Sequence, residues 1–149
     1  MPSQEMTDRI YRVIDANANR LREGLRVVEE IARMVLDNGG LTSRLRQRRH
    51  AVDDLVGHLS IPRERLLSAR DSEGDVGSEG VCGETPRTDC EAILRANLRR
   101  SQESCRVLEE FSKLFDPHIP ASFKKIRFEL YTLEKEIVGE LKKNRHEEH

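Results

Sequence analysis

Apolar residues recur at three- and four-residue steps through the first quarter of the chain: Ile10, Ile14, Leu21, Leu25, Val28, Ile31 and Val35. That spacing predicts an amphipathic helix over about residues 7–37. Gly39-Gly40 follows at once and adopts left-handed backbone cheaply, so the helix is expected to stop there. Thr42 or Ser43 then caps a second helix carrying Leu45, Val52, Leu55, Val56 and Leu59. Ser60 and Pro62 open a short helix through Leu66 and Leu67. The pattern breaks over residues 70–86, an acidic stretch containing Gly74, Gly77, Gly80 and Gly83. Thr88-Asp-Cys-Glu91 has the spacing of a capping box, and the helix it starts runs to about Phe115, before Pro117. A last helix begins near Ala121 or Ser122, with Phe123, Ile126, Leu130, Leu133, Ile137 and Leu141 on one stripe, and the polar tail 142–149 is expected to fray.

The two long hairpins resemble each other. Residues 16–30 align with residues 96–110 at a shift of 80, pairing Ala16/Ala96, Asn17/Asn97, Arg20/Arg100, Glu23/Glu103, Arg26/Arg106, Val27/Val107, Glu29/Glu109 and Glu30/Glu110. Their second helices align at a shift of 78, through Leu45/Phe123, Arg49/Arg127, Val52/Leu130 and Leu55/Leu133. The expected fold is all-α: one four-helix-bundle-like domain over residues 1–149. It is built from two duplicated helical hairpins (about 7–59 and 88–141) joined by the acidic glycine-rich loop 70–86.

Most of the shared identities are polar, whereas a duplicated core would keep its apolar ones. Three readings follow: a repeated salt-bridge lattice along each helix, an oligomer interface, or a polar cleft. In the cleft reading, Asn17, Asn97, Arg20, Arg100 and one or more of Glu23 and Glu103 hold a small polar ligand. The asparagines carry weight because both fall near an apolar stripe, where an amide must find partners.

Composition narrows the class. The 149 residues are 36% charged, with 26 basic against 27 acidic side chains, which favours solvated helices and argues against a nucleic-acid or anionic-membrane binder. No apolar run approaches a membrane span and the first ten residues do not form a signal peptide, so a cytoplasmic protein is expected. Cys82, Cys90 and Cys105 lack the spacing of a disulfide framework or zinc site and read as free thiols.

Within the loop, Arg70-Asp-Ser-Glu-Gly-Asp-Val-Gly77 is the most motif-like segment. Arg70 can grip a phosphate, Asp71 and Asp75 can hold Mg²⁺ with its waters, and Gly74 and Gly77 let backbone approach a ligand. The alternative is a surface loop in which Asp and Gly simply make turns. Neither GxxxxGK[ST] nor GxGxxG occurs. The second helix carries Arg44, Arg46, Arg48 and Arg49; Arg49 is the best phosphate candidate among them, because Arg127 matches it in the other half. His50 precedes Asp53 and Asp54 by three and four residues, a spacing that can orient its ring but is more often structural.

Three segments in order, Tyr11–Glu30, Arg70–Gly77 and Ala96–Glu110, resemble a small helical domain of thiamine biosynthesis that occurs alone or fused ahead of thiamine-phosphate synthase. The resemblance extends from Tyr11 to about Ile137. It implies an alternative hydroxymethylpyrimidine-phosphate kinase, which moves the ATP γ-phosphoryl group onto 4-amino-5-hydroxymethyl-2-methylpyrimidine phosphate. Under that implication Arg20, Arg100 and Arg70 neutralise phosphates, Asp71 and Asp75 hold Mg²⁺, and Arg70, Asp71 and Asp75 form the catalytic set. Asn17 or Asn97, with Glu23 or Glu103, meets the aminopyrimidine ring. The implied partners are a small phosphorylated pyrimidine and thiamine-phosphate synthase; the paired charged faces also admit a homodimer. A non-catalytic binding or docking module associated with the synthase is the competing expectation.

Overall fold

The structure is a computed structural model that describes residues 3–59, 61–77 and 86–147. Among them there is no strand: α1 (Gln4–Glu30) continues into a π turn (Ile31–Val35), followed by α2 (Gly39–His58), α3 (Arg63–Ser68), α4 (Cys90–Ser112) and α5 (Ile119–Glu147). The all-α expectation holds. Gly80, Cys82 and Gly83 of the loop, Ser60, and the last two residues of the tail lie outside the described residues.

The helices start and stop where side chains can satisfy their free ends. Ser3 caps α1, its oxygen accepting from the Met6 amide at 3.2 Å. The first helix ends differently from expectation. It passes through the π turn, Asp37 takes the left-handed conformation (φ 50°), and Asn38 caps α2 by accepting from the Leu41 amide at 3.0 Å. Gly39 and Gly40 therefore form the first turn of α2, and the hydroxyl of Thr42 donates back to the Asn38 carbonyl. An Asn side chain both caps and tolerates the preceding tight turn, which makes the glycines unnecessary as a stop. In the second hairpin Asp89, one residue beyond the expected Thr88, caps α4 through the Ala92 amide at 2.7 Å. Asp116 takes up the Ile119 amide at the start of α5. The tail does not fray through Glu147, because Arg145 pairs with Glu91 at 3.2 Å and reaches Asp89 at 3.6 Å.

One hydrophobic core runs through the bundle. Ile14, Leu21, Leu25 and Val28 of α1 meet Leu45 and Val52 of α2, Leu94, Leu98 and Leu108 of α4, and the whole expected stripe of α5. The exception to the α1 stripe is Val35, 53% exposed, because the π turn rotates it outward. The helices α1 and α4 run antiparallel and approach most closely at Gly24. A Cβ there would stand 2.9 Å from the Asn97 carbonyl oxygen and overlap the Ser101 hydroxyl. Tyr11 stacks on Phe115 near one end of the same contact, ring centroids 5.9 Å apart.

Two of the repeated charged positions clamp the helices of each hairpin to one another. Glu29 of α1 is buried, its side chain 1% exposed, and accepts from Arg46 at 3.1 Å and Arg49 at 3.0 Å on α2. Glu109 of α4 does the same with Arg127 of α5 at 3.1 Å. Burial pushes the Glu29 pKa up, but the hydrogen bonds from Arg49 and Arg46 outweigh it and hold the carboxyl below its ordinary value. Arg26 and Arg106 complete the pattern along their own helices, to Glu30 at 3.3 Å and Glu110 at 2.9 Å. Arg49 is thus a structural brace rather than a phosphate contact, which corrects its place among the ligand candidates. Its helix neighbours are also engaged, Arg44 with Glu136 at 2.6 Å and Arg48 with Glu129 at 2.8 Å.

Candidate functional site

The helix α3 and the segment after it fold back against the N-terminal half of α1. Two ion pairs hold them there: Arg65 with Asp8 at 2.6 Å, and a bidentate pair in which Arg70 donates to both oxygens of Asp15 at 2.8 and 2.9 Å. Asp15 is buried, so this pair is worth more than a surface contact and fixes the direction of the loop. Hydrogen bonding to Asp15 raises the Arg70 pKa still further above its already high value.

Between α1 and the loop lies a cleft of about 630 Å³. Its wall on α1 carries Arg9, Arg12, Val13, Ala16, Asn17, Asn19 and Arg20; Asp15 and Arg70 cross its edge, and Asp71, Ser72 and Asp75 close it from the loop side. Asn17 is 6% exposed, and its amide donates to the Val13 carbonyl at 2.8 Å. That bond uses the amide nitrogen and leaves the side-chain carbonyl as an acceptor on the cleft wall. Arg9 is engaged by Glu5 at 2.6 Å. Among the described residues Arg12 and Arg20 make no ion pair, and both line the same space as the buried Asn17 amide.

Of the residues expected at a site, the structure brings together Asn17, Arg20, Arg70, Asp71 and Asp75. It does not bring Glu23, Asn97, Arg100, Glu103, Arg49, Gly74 or Gly77 into the cleft wall. Among the described residues, this cleft is lined by α1 and residues 70–75. Asn97 repeats the local bond of Asn17, donating to the Ile93 carbonyl at 2.8 Å, but its surroundings differ. Arg95 stands where the first half has Asp15, and it pairs with Glu91 at 2.8 Å beside Arg145. The end of α5 covers the place that the Arg70 segment occupies in the first half.

The two carboxylates expected to hold a metal each accept a hydrogen bond from a backbone amide of their own loop. Asp71 accepts from the Gly74 amide at 2.8 Å and Asp75 from the Gly77 amide at 2.8 Å, so each carboxylate shapes its own turn. Gly74 lies so close over Asp71 that a Cβ would collide with the carboxylate. Among the described residues, no group of three His, Cys, Asp or Glu side chains is placed to hold a metal ion. The turn-making reading of this loop describes the observed bonds. His50 is exposed, and its expected orienter Asp53 is engaged by Arg22 at 2.7 Å. Burial pushes the Cys105 thiol up to about 12, so it has no nucleophilic form near neutrality.

Seven cleft residues were not among those expected at a site: Arg9, Arg12, Val13, Asp15, Ala16, Asn19 and Ser72. Asp15 had a legible signal: around the helix it falls within about 60° of Ala18, on the flank of the buried stripe, where a carboxylate needs a cation. Arg12 carried no such mark, since an arginine on an outer helix face is ordinary.

Among the described residues the chain is all-helical, and the recess on α1 is lined by Arg9, Arg12, Arg20 and Arg70. The chain matches the ThiD2 family over residues 12–136 and belongs to it. It is 44% identical over 131 residues to a thiamine-phosphate synthase of Synechocystis sp., covering 87% of this chain and 36% of that protein. Thiamine-phosphate synthases of Nostoc punctiforme and Rhodopirellula baltica are each 40% identical, over 134 and 130 residues. The chain spans about a third of the length of these relatives, with 36% and 34% of the latter two covered. No solved structure matches. These names support the link to thiamine biosynthesis and overturn the kinase expectation: the relatives are thiamine-phosphate synthases, not kinases. The assignment of ATP and Mg²⁺ loses its support with it. No helix among the described residues is long and apolar enough to cross a membrane.

Proposed function

We propose that this chain is a non-catalytic helical binding module that works beside thiamine-phosphate synthase and holds a small phosphorylated pyrimidine in the cleft of α1. The observation that carries the reading is the convergence of unpaired Arg12 and Arg20 with the buried amide of Asn17. Guanidinium groups suit a phosphate ester, and an amide carbonyl accepts from an exocyclic amine on a heteroaromatic ring. Arg70 contributes by fixing the cleft edge, since Asp15 already takes two of its donors. The synthase names of the relatives support the choice of pathway.

Isothermal titration with 4-amino-5-hydroxymethyl-2-methylpyrimidine phosphate, its unphosphorylated alcohol and inorganic phosphate tests this. The phosphate ester should bind, the alcohol should bind at least about tenfold more weakly, and Arg12→Ala with Arg20→Ala should remove the difference. Absence of binding by the ester, or binding indifferent to those arginines, overturns the reading.

A further inference from the structure

The repeated identities divide into two groups once the contacts are counted. Glu29 and Arg49, like their counterparts Glu109 and Arg127, are consumed in the hairpin clamps, and Arg26 with Glu30, like Arg106 with Glu110, in pairs along one helix. Arg20, Glu23, Arg100 and Glu103 are exposed and make no ion pair or side-chain hydrogen bond among the described residues. On α1 the first two share a narrow stripe with Ala16 and Val27, pointing away from the core, and α4 presents Ala96, Arg100, Glu103 and Val107 in the same way.

The antiparallel contact fixes how the two stripes lie side by side. Tyr11 meets Phe115 and Gly24 meets Asn97 and Ser101, so Arg20 lies across from Glu103 and Glu23 across from Arg100. The result is a two-by-two chequerboard of charge with an approximate two-fold axis through its centre. Turning such a pattern over about either in-plane axis lays every cation on an anion. An uncharged or single-sign face does not have this property.

We propose that the outer face of α1 and α4 docks a second copy of this chain, with Arg20, Glu23, Arg100 and Glu103 of each copy meeting the opposite charges of the other. The contact is isologous, which closes the assembly at two copies. Charge complementarity sets its register, and the half-buried Val27 and Val107 lie within it. Since Arg20 also lines the cleft, the second copy stands at the cleft mouth. The proposal shares Arg20 with the ligand reading, and its test uses the protein without ligand, so that the failure of either is seen separately.

Sedimentation velocity on the full chain decides it. At low ionic strength the protein should sediment as a dimer, and about 0.5 M NaCl should weaken the association at least about tenfold. An all-acidic face (Arg20→Glu with Arg100→Glu) and an all-basic face (Glu23→Arg with Glu103→Arg) should each be monomeric, with helical circular dichroism unchanged. Mixed in equal amounts, the two variants should form a heterodimer. A wild-type monomer throughout, variants that remain dimeric alone, or a mixture that stays monomeric overturns the proposal. If one variant loses its helical signal, the salt response of the wild type and the other variant still decide.

Discussion

The two hairpins are clamped alike and finished differently. In each, a buried glutamate of the first helix takes an arginine from the second, Glu29 with Arg49 and Glu109 with Arg127. At the open side of α1, however, Asp15 draws Arg70 inward and creates a recess; at the matching side of α4, Arg95 and Arg145 converge on Glu91 and fill it. The interhelical clamp is common, whereas the matching residues Asp15 and Arg95 differ in charge and take different partners, Arg70 and Glu91.

The largest effect is expected where the clamp is broken. Glu29→Ala strands Arg46 and Arg49 against a buried hole and should lower unfolding free energy by about 3–5 kcal/mol in chemical denaturation. Glu109→Ala should cost less, since Arg127 is its sole partner on the neighbouring helix and the site is slightly more open. Equal losses would mean that the hairpins are equivalent in energy as well as in geometry. Next comes the helix contact itself: Gly24→Val forces α1 from the Asn97 carbonyl and should cost about 1–3 kcal/mol by the same measurement.

Asp15→Ala should separate the two sides more selectively. It leaves Arg70 unpaired and should raise hydrogen exchange across α3 and residues 70–77, with about 1–2 kcal/mol lost overall. Arg95→Ala, its counterpart, breaks an exposed pair and should change stability by less than about 1 kcal/mol. The smallest effect is with pH. Because the Glu29 pKa is lowered in the fold, its contribution is fully present above the unfolded-state value and fades as pH falls through the folded one. Thermal stability should therefore drop below about pH 4, and Glu29→Gln should show a shallower drop.

Much of this was legible in the chain. The apolar stripes of α1 and α5 gave the bundle, because burial dictates a period near 3.6 whatever the partners are. The internal repeat pointed to Glu29, Glu109, Arg49 and Arg127, but a list of identities does not say whether a charge faces a neighbour or a ligand. That depends on the separation between helices, which no local pattern encodes. Arg49 was misplaced for this reason. Asp71 and Asp75 were read toward a metal because Asp before Gly serves turns and cations with the same oxygen atoms. Asn17, Arg20 and Arg70 did assemble, since α3 and the segment after it return to α1, whereas Asn97 and Arg100 lie on α4, outside the cleft wall.

The π turn at Ile31–Val35 also accounts for a discrepancy in length. The repeat runs at 80 residues through α1 and α4 but at 78 through α2 and α5, so the first hairpin holds two more residues between its helices. A π turn widens the helix to house a surplus residue locally, without turning the preceding helix. Ile31 and Ala32 stay buried and the surplus is shed outward as Met34 and Val35. Unequal connections are thereby reconciled with matching clamps, and the π turn takes up part of a length difference that the core does not register.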